Sequence, residues 1–139
     1  MPSLFTRIVL GEVPCHKILE DERFLAFLDV RPINPGHTLV IPKQEVDYIF
    51  DLEDDLLGDL VKFAKKAAGP IRKAMPCKKV GLMVAGLEVP HVHIHLVPIF
   101  EVGDLNFAKA RSASAEELAS VAQKIRAAAS LPVQEPSRH

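Results

Sequence analysis

The stretch His91-Val92-His93-Ile94-His95-Leu96-Val97-Pro98 decides how the rest of the chain is read. Successive side chains on a strand point to opposite faces, so residues two apart share a face. His91, His93, His95 and Val97 therefore lie on one side, and Val92, Ile94 and Leu96 on the other. The aliphatic set belongs against a core. That turns three imidazoles, about 6.5–7 Å apart along the strand, toward the opposite face. Half of the chain's six histidines stand in this run. A merely solvated face would be served as well by lysine, threonine or glutamate.

Outward from this run, the preceding "KVGLMVAG" is a second strand, and the β-branched, apolar "TLVIP" a third. "HKILE" and "RFLAFLDV" are two more, separated by the turn-like Asp21-Glu22. "RPINPGH" is a fixed loop, because Pro32 and Pro35 remove backbone donors and Gly36 frees the backbone. Residues 4–10 allow one or two helical turns. The clearest helix is expected to begin near Asp51, an N-cap followed by acidic residues. Its apolar face carries Leu56, Leu57, Leu60, Val61 and Ala64, and Gly69-Pro70 is expected to kink or end it. A last helix starts at Ser114, where Ser114 and Glu117 form a capping box, and it buries Leu118, Val121, Ala122 and Ile125. This order predicts an α+β domain over residues 1–130 with a mainly antiparallel sheet, one face covered by helices and the other free for function. Residues 131–139 are expected to be a flexible tail.

Composition narrows the class. With 139 residues, 48% apolar and 25% charged, the chain suits one globular domain that buries roughly two-thirds of its unfolded surface. A net charge of −1 provides no general attraction for polyanions, so no nucleic-acid partner is expected. No apolar run approaches the roughly 20 residues needed to cross a bilayer, and the N-terminus lacks a secretory pattern. Cys15 and Cys77 form no close-spaced motif. A cytoplasmic protein with no membrane partner follows as the expectation.

Two chemistries compete for the histidines. His37, in the Pro-Gly loop, could join two of the run as a third ligand to zinc in a metal-dependent hydrolase. Against that, no Asp, Glu or Cys lies close by on the same face. Alternatively, a neutral imidazole has one nitrogen lone pair for attack, and its other nitrogen needs an acceptor to fix the tautomer. Phosphorus is the natural target, since a phosphorylated histidine is reactive enough to be cleared by water.

"HVHIHLVP" resembles the His-φ-His-φ-His-φ-φ signature of the histidine triad (HIT) superfamily of nucleotide hydrolases and transferases. "GEVPCHKILEDERFLAFLDVRPINPGHTLVIPK", Gly11 to Lys43, is similar to that family's N-terminal half. The resemblance implies a five-stranded sheet with one long helix and a C-terminal helix. It also implies a homodimer that joins two sheets into a ten-stranded one. It implies cleavage at the α-phosphate of a purine nucleotide through a nucleotidyl-histidine intermediate. His93 would be the nucleophile, buttressed by His91 and His37, and His95 would contact the phosphate and leaving-group oxygens. Asp29 would hold the ribose hydroxyls, and Phe5, Ile8, Phe27 and Val30 would wall the base. Val89 would present its backbone N–H to the phosphate.

The departures from the pattern matter as much. Bacterial relatives often bind a structural zinc through Cys-x-x-Cys and two histidines; here those positions read Ser3, Thr6, Glu45 and His91, so no metal or other cofactor is expected. The usual Gly-Gln-x-Val before the triad reads Gly86-Leu87-Glu88-Val89. Leucine has no amide to donate, and Glu88 brings negative charge to where phosphate is expected. Either Glu88 points away or the leaving group is cationic or amine-like. A nucleoside phosphoramidase is favoured, with a dinucleoside polyphosphate hydrolase or a slow-turnover nucleotide-binding regulator as alternatives.

Overall fold

A computed structural model describes residues 2–130; the expected tail lies outside the described residues. In chain order the elements are α1 (Leu4–Val9), β1 (Lys17–Glu20), β2 (Phe24–Leu28), β3 (Thr38–Pro42), α2 (Asp54–Ala74), β4 (Lys79–Met83), β5 (Ile94–Ile99) and α3 (Ala115–Ser130). The five strands form one sheet in the order β1-β2-β3-β5-β4. Every neighbouring pair is antiparallel. No described helix is long and apolar enough to cross a membrane.

Local chemistry explains the joints. Asp21 accepts the backbone N–H groups of Arg23 and Phe24 at 2.8 Å each, an Asx-type turn that closes the β1–β2 hairpin. Gly36 sits at φ +98, and a Cβ there would meet Met75 Cγ at 2.6 Å. Only glycine suits both the left-handed backbone and that contact. At α3, the Glu117 N–H donates to Ser114 Oγ and the Ser114 N–H to Glu117 Oε1, which is the expected capping box.

Alternation sorts β2, β3 and β5 into two cores. Phe24, Ala26, Leu28, Val40, Val92, Ile94 and Leu96 pack beneath α2 and α3. Leu25, Phe27, Leu39 and Ile41 face the other way and pack against Phe5 and Ile8 of α1. The histidine face is thus not an open sheet surface. His91, His93 and His95 are at most 3% exposed, because Phe5 of α1 stands over His91 and His93 and Phe107 over His95; the expectation of one free face is corrected accordingly. Regular pairing also begins only at Ile94, so His91 and His93 occupy an extended lead-in whose alternation continues that of the strand.

The long helix differs from expectation at both ends. Asp51 lies in a 3-10 turn over Ile49–Asp51, and α2 starts after Glu53. Leu52, 6% exposed and extended, is pinned in the core between them. At the other end α2 runs through Pro70 to Ala74. The buried stripe Leu60, Phe63, Ala64, Ala67 and Ile71 passes across the proline, and its packing outweighs one lost backbone hydrogen bond. That stripe is rotated from the expected one, leaving Val61 46% exposed.

Candidate active site

The ring orientations in the histidine cluster follow from atoms that have only one possible role. A backbone carbonyl only accepts, and a backbone N–H only donates. His93 Nδ1 lies 2.7 Å from the His91 carbonyl, so Nδ1 carries the proton and Nε2 keeps its lone pair. His91 Nε2 lies 2.8 Å from the Pro42 carbonyl; it donates there, and its Nδ1 accepts the Ser3 hydroxyl at 2.8 Å. The Ile33 N–H donates to His37 Nδ1 at 3.0 Å. His37 must then carry its proton on Nε2, which donates to His95 Nδ1 at 2.9 Å. That leaves His95 with an N–H at Nε2. The cluster therefore presents one imidazole with a free lone pair and one imidazole donor side by side, their ring centroids 4.9 Å apart.

Burial disfavours the charged forms of His37, His91 and His95. It pushes His37 down to about 4 and, with the neighbouring His37 and His93, pushes His95 down to about 3. His91 is lowered too, again mainly by burial. Burial acts oppositely on Asp29, raising its carboxyl, while the Arg31 N–H bonded to Oδ1 at 2.9 Å opposes the shift. Asp29 Oδ2 stands 3.6 Å from His37 Nε2, but a neutral His37 makes no ion pair, and its proton is directed to His95.

A cavity of about 580 Å³ opens over this cluster. Phe5, Ile8, Phe27, Asp29, Val30 and Val89, the residues expected to hold a nucleotide, all line it together with His93 and His95. His91 and His37 stand behind the cavity wall, each tied to it through a neighbour. His91 holds His93 through its backbone carbonyl rather than its ring, and His37 supports His95 rather than the expected nucleophile. Val30 is 60% exposed and forms the rim.

Several participants were not visible in the sequence. Phe107, in a 3-10 turn, stands edge-on to His95 at 4.8 Å between centroids. Ala113, Ala115 and Leu118 bring the start of α3 into the cavity wall. They are held there because Arg31 donates to the Ser112 hydroxyl and the Ala110 carbonyl, while the Ala113 N–H donates to the Val30 carbonyl. No local pattern near residue 31 announces these partners.

Two groupings bring potential metal-donor atoms together. Asp29, His37 and His95 bring ligand atoms within 4.8 Å of one another. As hydrogen-bonded, however, His37 has both ring nitrogens engaged and His95 Nδ1 is already taken, so the trio does not suit a cation. Ser3, Thr6, Glu45 and His91 converge as a hydrogen-bonded clasp. Glu45 accepts the Ser3 N–H at 2.8 Å and the Thr6 hydroxyl. The Ser3 N–H, then Thr6, hold the Glu45 carboxyl below its usual range. Two hydroxyls, one carboxylate and one imidazole are a poor match for the nitrogen and sulfur set of structural zinc. These hydrogen bonds fasten α1 to His91.

Comparison with known proteins agrees with this architecture. A family model described as the HIT domain matches residues 10–102. An uncharacterized HIT-like protein of Methanocaldococcus jannaschii is 39% identical over 108 residues, covering 70% of this chain and 79% of the relative. The adenosine 5'-monophosphoramidase hnt1 of Schizosaccharomyces pombe is 35% identical over 103 residues, covering 70% and 74%. A zinc-bound histidine triad family protein from Mycobacterium smegmatis superposes with a TM-score of 0.78 at 29% identity, covering 91% of each chain. With the alternating histidines, the antiparallel sheet and the matched segment in agreement, this chain belongs to the HIT family.

Proposed function

We propose that this protein is a nucleotide hydrolase that cleaves a nucleoside phosphoramidate through His93. The observation that carries the proposal is the His93 Nδ1–H donated to the His91 carbonyl, which leaves Nε2 as the free lone pair of the alternating histidine run beside a cavity of nucleoside size. The relatives named adenosine 5'-monophosphoramidase in two yeasts support the substrate class.

In the proposed reaction the base packs among Phe5, Ile8, Phe27 and Val30, and Asp29 accepts from the ribose hydroxyls. His93 Nε2 donates its lone pair to the α-phosphorus as the P–N bond breaks. The leaving nitrogen departs with that bond's electron pair and takes a proton from bulk water. His95 Nε2–H and the Val89 N–H donate to the phosphoryl oxygens. Since burial holds His95 neutral, it stabilises developing charge rather than transferring a proton. Water then attacks phosphorus, the pair returns to Nε2, and the water's proton passes to solvent. The His91 carbonyl steadies the positive imidazole ring of the intermediate. Two in-line displacements give net retention at phosphorus.

A slow-turnover binder is the second reading, favoured by Leu87, whose side chain is 92% exposed and offers no donor to phosphate. Substituting His93→Ala separates the two. The variant should lose at least about a hundredfold in turnover of an AMP amidate while AMP still raises its melting temperature. Turnover surviving in the variant would overturn the assignment of His93. Failure to trap any nucleotidyl-enzyme from the native protein would favour the binder.

A further inference from the structure

His93 borders two cavities. One is the nucleotide cleft; the other, of about 520 Å³, is lined by Asp47, Tyr48, Phe50 and the Gly86–Leu87 backbone among others. The segment Gly86 to Val89 forms the partition between them, with Gly86 and Leu87 facing the second cavity and Glu88 and Val89 the first. A phosphorus atom at His93 would therefore sit at the junction. Its nucleoside would extend past Asp29, and its leaving group would depart along the Gly86–Val89 partition, which carries Glu88 on its nucleotide side.

The charges around this junction have one sign. Among the described residues no lysine or arginine lines either cavity, whereas Asp29, Glu88 and Asp47 do. Two nearby cations are engaged elsewhere. Arg7 pairs with Glu12 at 3.5 Å, and Arg31 donates to Ser112 and Ala110. Glu88 is exposed and makes no ion pair among the described residues. A polyphosphate leaving group would meet these carboxylates with no lining lysine or arginine among the described residues to offset its charge. A protonated amine on the leaving group would supply that cation, and Tyr48 and Phe50, edge-to-face at 5.5 Å, would cover an alkyl chain leading to it.

We propose that Glu88 selects the leaving group, favouring phosphoramidates whose departing amine carries a second, cationic group. This rests on the phosphoramidase reading. The test compares the full-length protein on two amidates of AMP with equal chain length, those of butylamine and of 1,4-diaminobutane. The native protein should favour the cationic one in kcat/KM by about threefold to tenfold, the effect of a partly exposed ion pair. Glu88→Gln should bring the ratio close to one, and Glu88→Lys should invert it. A native protein that cleaves both amidates with the same ratio as Glu88→Gln overturns the role of Glu88 alone. A native protein that cleaves neither overturns the phosphoramidase reading along with it.

Discussion

Each histidine of the run owes its role to one hydrogen-bond partner. His93 and His95 are two residues apart and chemically identical, yet one meets a carbonyl at Nδ1 and the other an N–H. That single difference exposes a lone pair on His93 and a donor on His95. Keeping His37 and His95 uncharged also makes stability depend on pH. Both folded values, about 4 and about 3, lie below the ordinary 6.5, so the unfolded chain binds more protons between those values. The stability from these groups is complete above about 6.5 and is lost as pH falls toward the folded values. Each pH unit in that window removes up to about 1.4 kcal/mol per histidine. Carboxylates held down by partners, such as Glu20, act only below their ordinary 4.5. Thermal melts at pH 7, 6 and 5 should therefore show a falling melting temperature. A flat profile over that range would mean the two rings are not buried neutral.

At the scale of elements, packing overrode local propensity in α2. Gly69 and Pro70 would stop an isolated helix, but the stripe through Ala67 and Ile71 holds the turn together. Gly69 is helical, and a Cβ built on it meets nothing within 4 Å. Gly69→Ala should raise stability by about 0.4–1 kcal/mol in urea unfolding, mainly by restricting the unfolded chain. Gly36→Ala is the counter-case. Its positive φ and its contact with Met75 should lower stability by about 1–3 kcal/mol, and a neutral result would show that the β3 entry loop yields easily. The element α1 was legible as a short helix, but its importance was not. It carries Phe5 over His93, at 5.0 Å between centroids, and supplies Ser3 and Thr6 to the clasp on His91.

For the whole molecule, β1 and β4 are the edges of the sheet. Edge strands expose unpaired backbone groups that a second chain can pair with. β4 also presents Leu82 at 50% exposure. We expect β4 to pair with its copy in a second protomer, giving the ten-stranded sheet that the family resemblance implies. Analytical ultracentrifugation should return about twice 15.3 kDa, and proline at Val80 or Leu82 on this edge should shift the mass toward one protomer. A native mass of one protomer would overturn the dimer.

The sequence by itself determined the elements and their facings: five strands, the alternation that sends Val92, Ile94 and Leu96 inward, the Ser114–Glu117 cap and the family. These depend on neighbours a few residues apart, which any reader of the chain can see. Only the tertiary structure decided which imidazole nitrogen is free, how deeply the histidines are buried, and that Phe107 and the start of α3 enclose the site. Ser3 and His91 are separated by 88 positions, and His37 and His95 by 58. Hydrogen-bond roles are fixed by whichever atom the fold brings into reach, and no periodicity in the chain encodes contacts over such separations. Glu88 belongs to both levels. Its departure from the family pattern was visible in the sequence, and its place in the cleft beside His93 came from the fold.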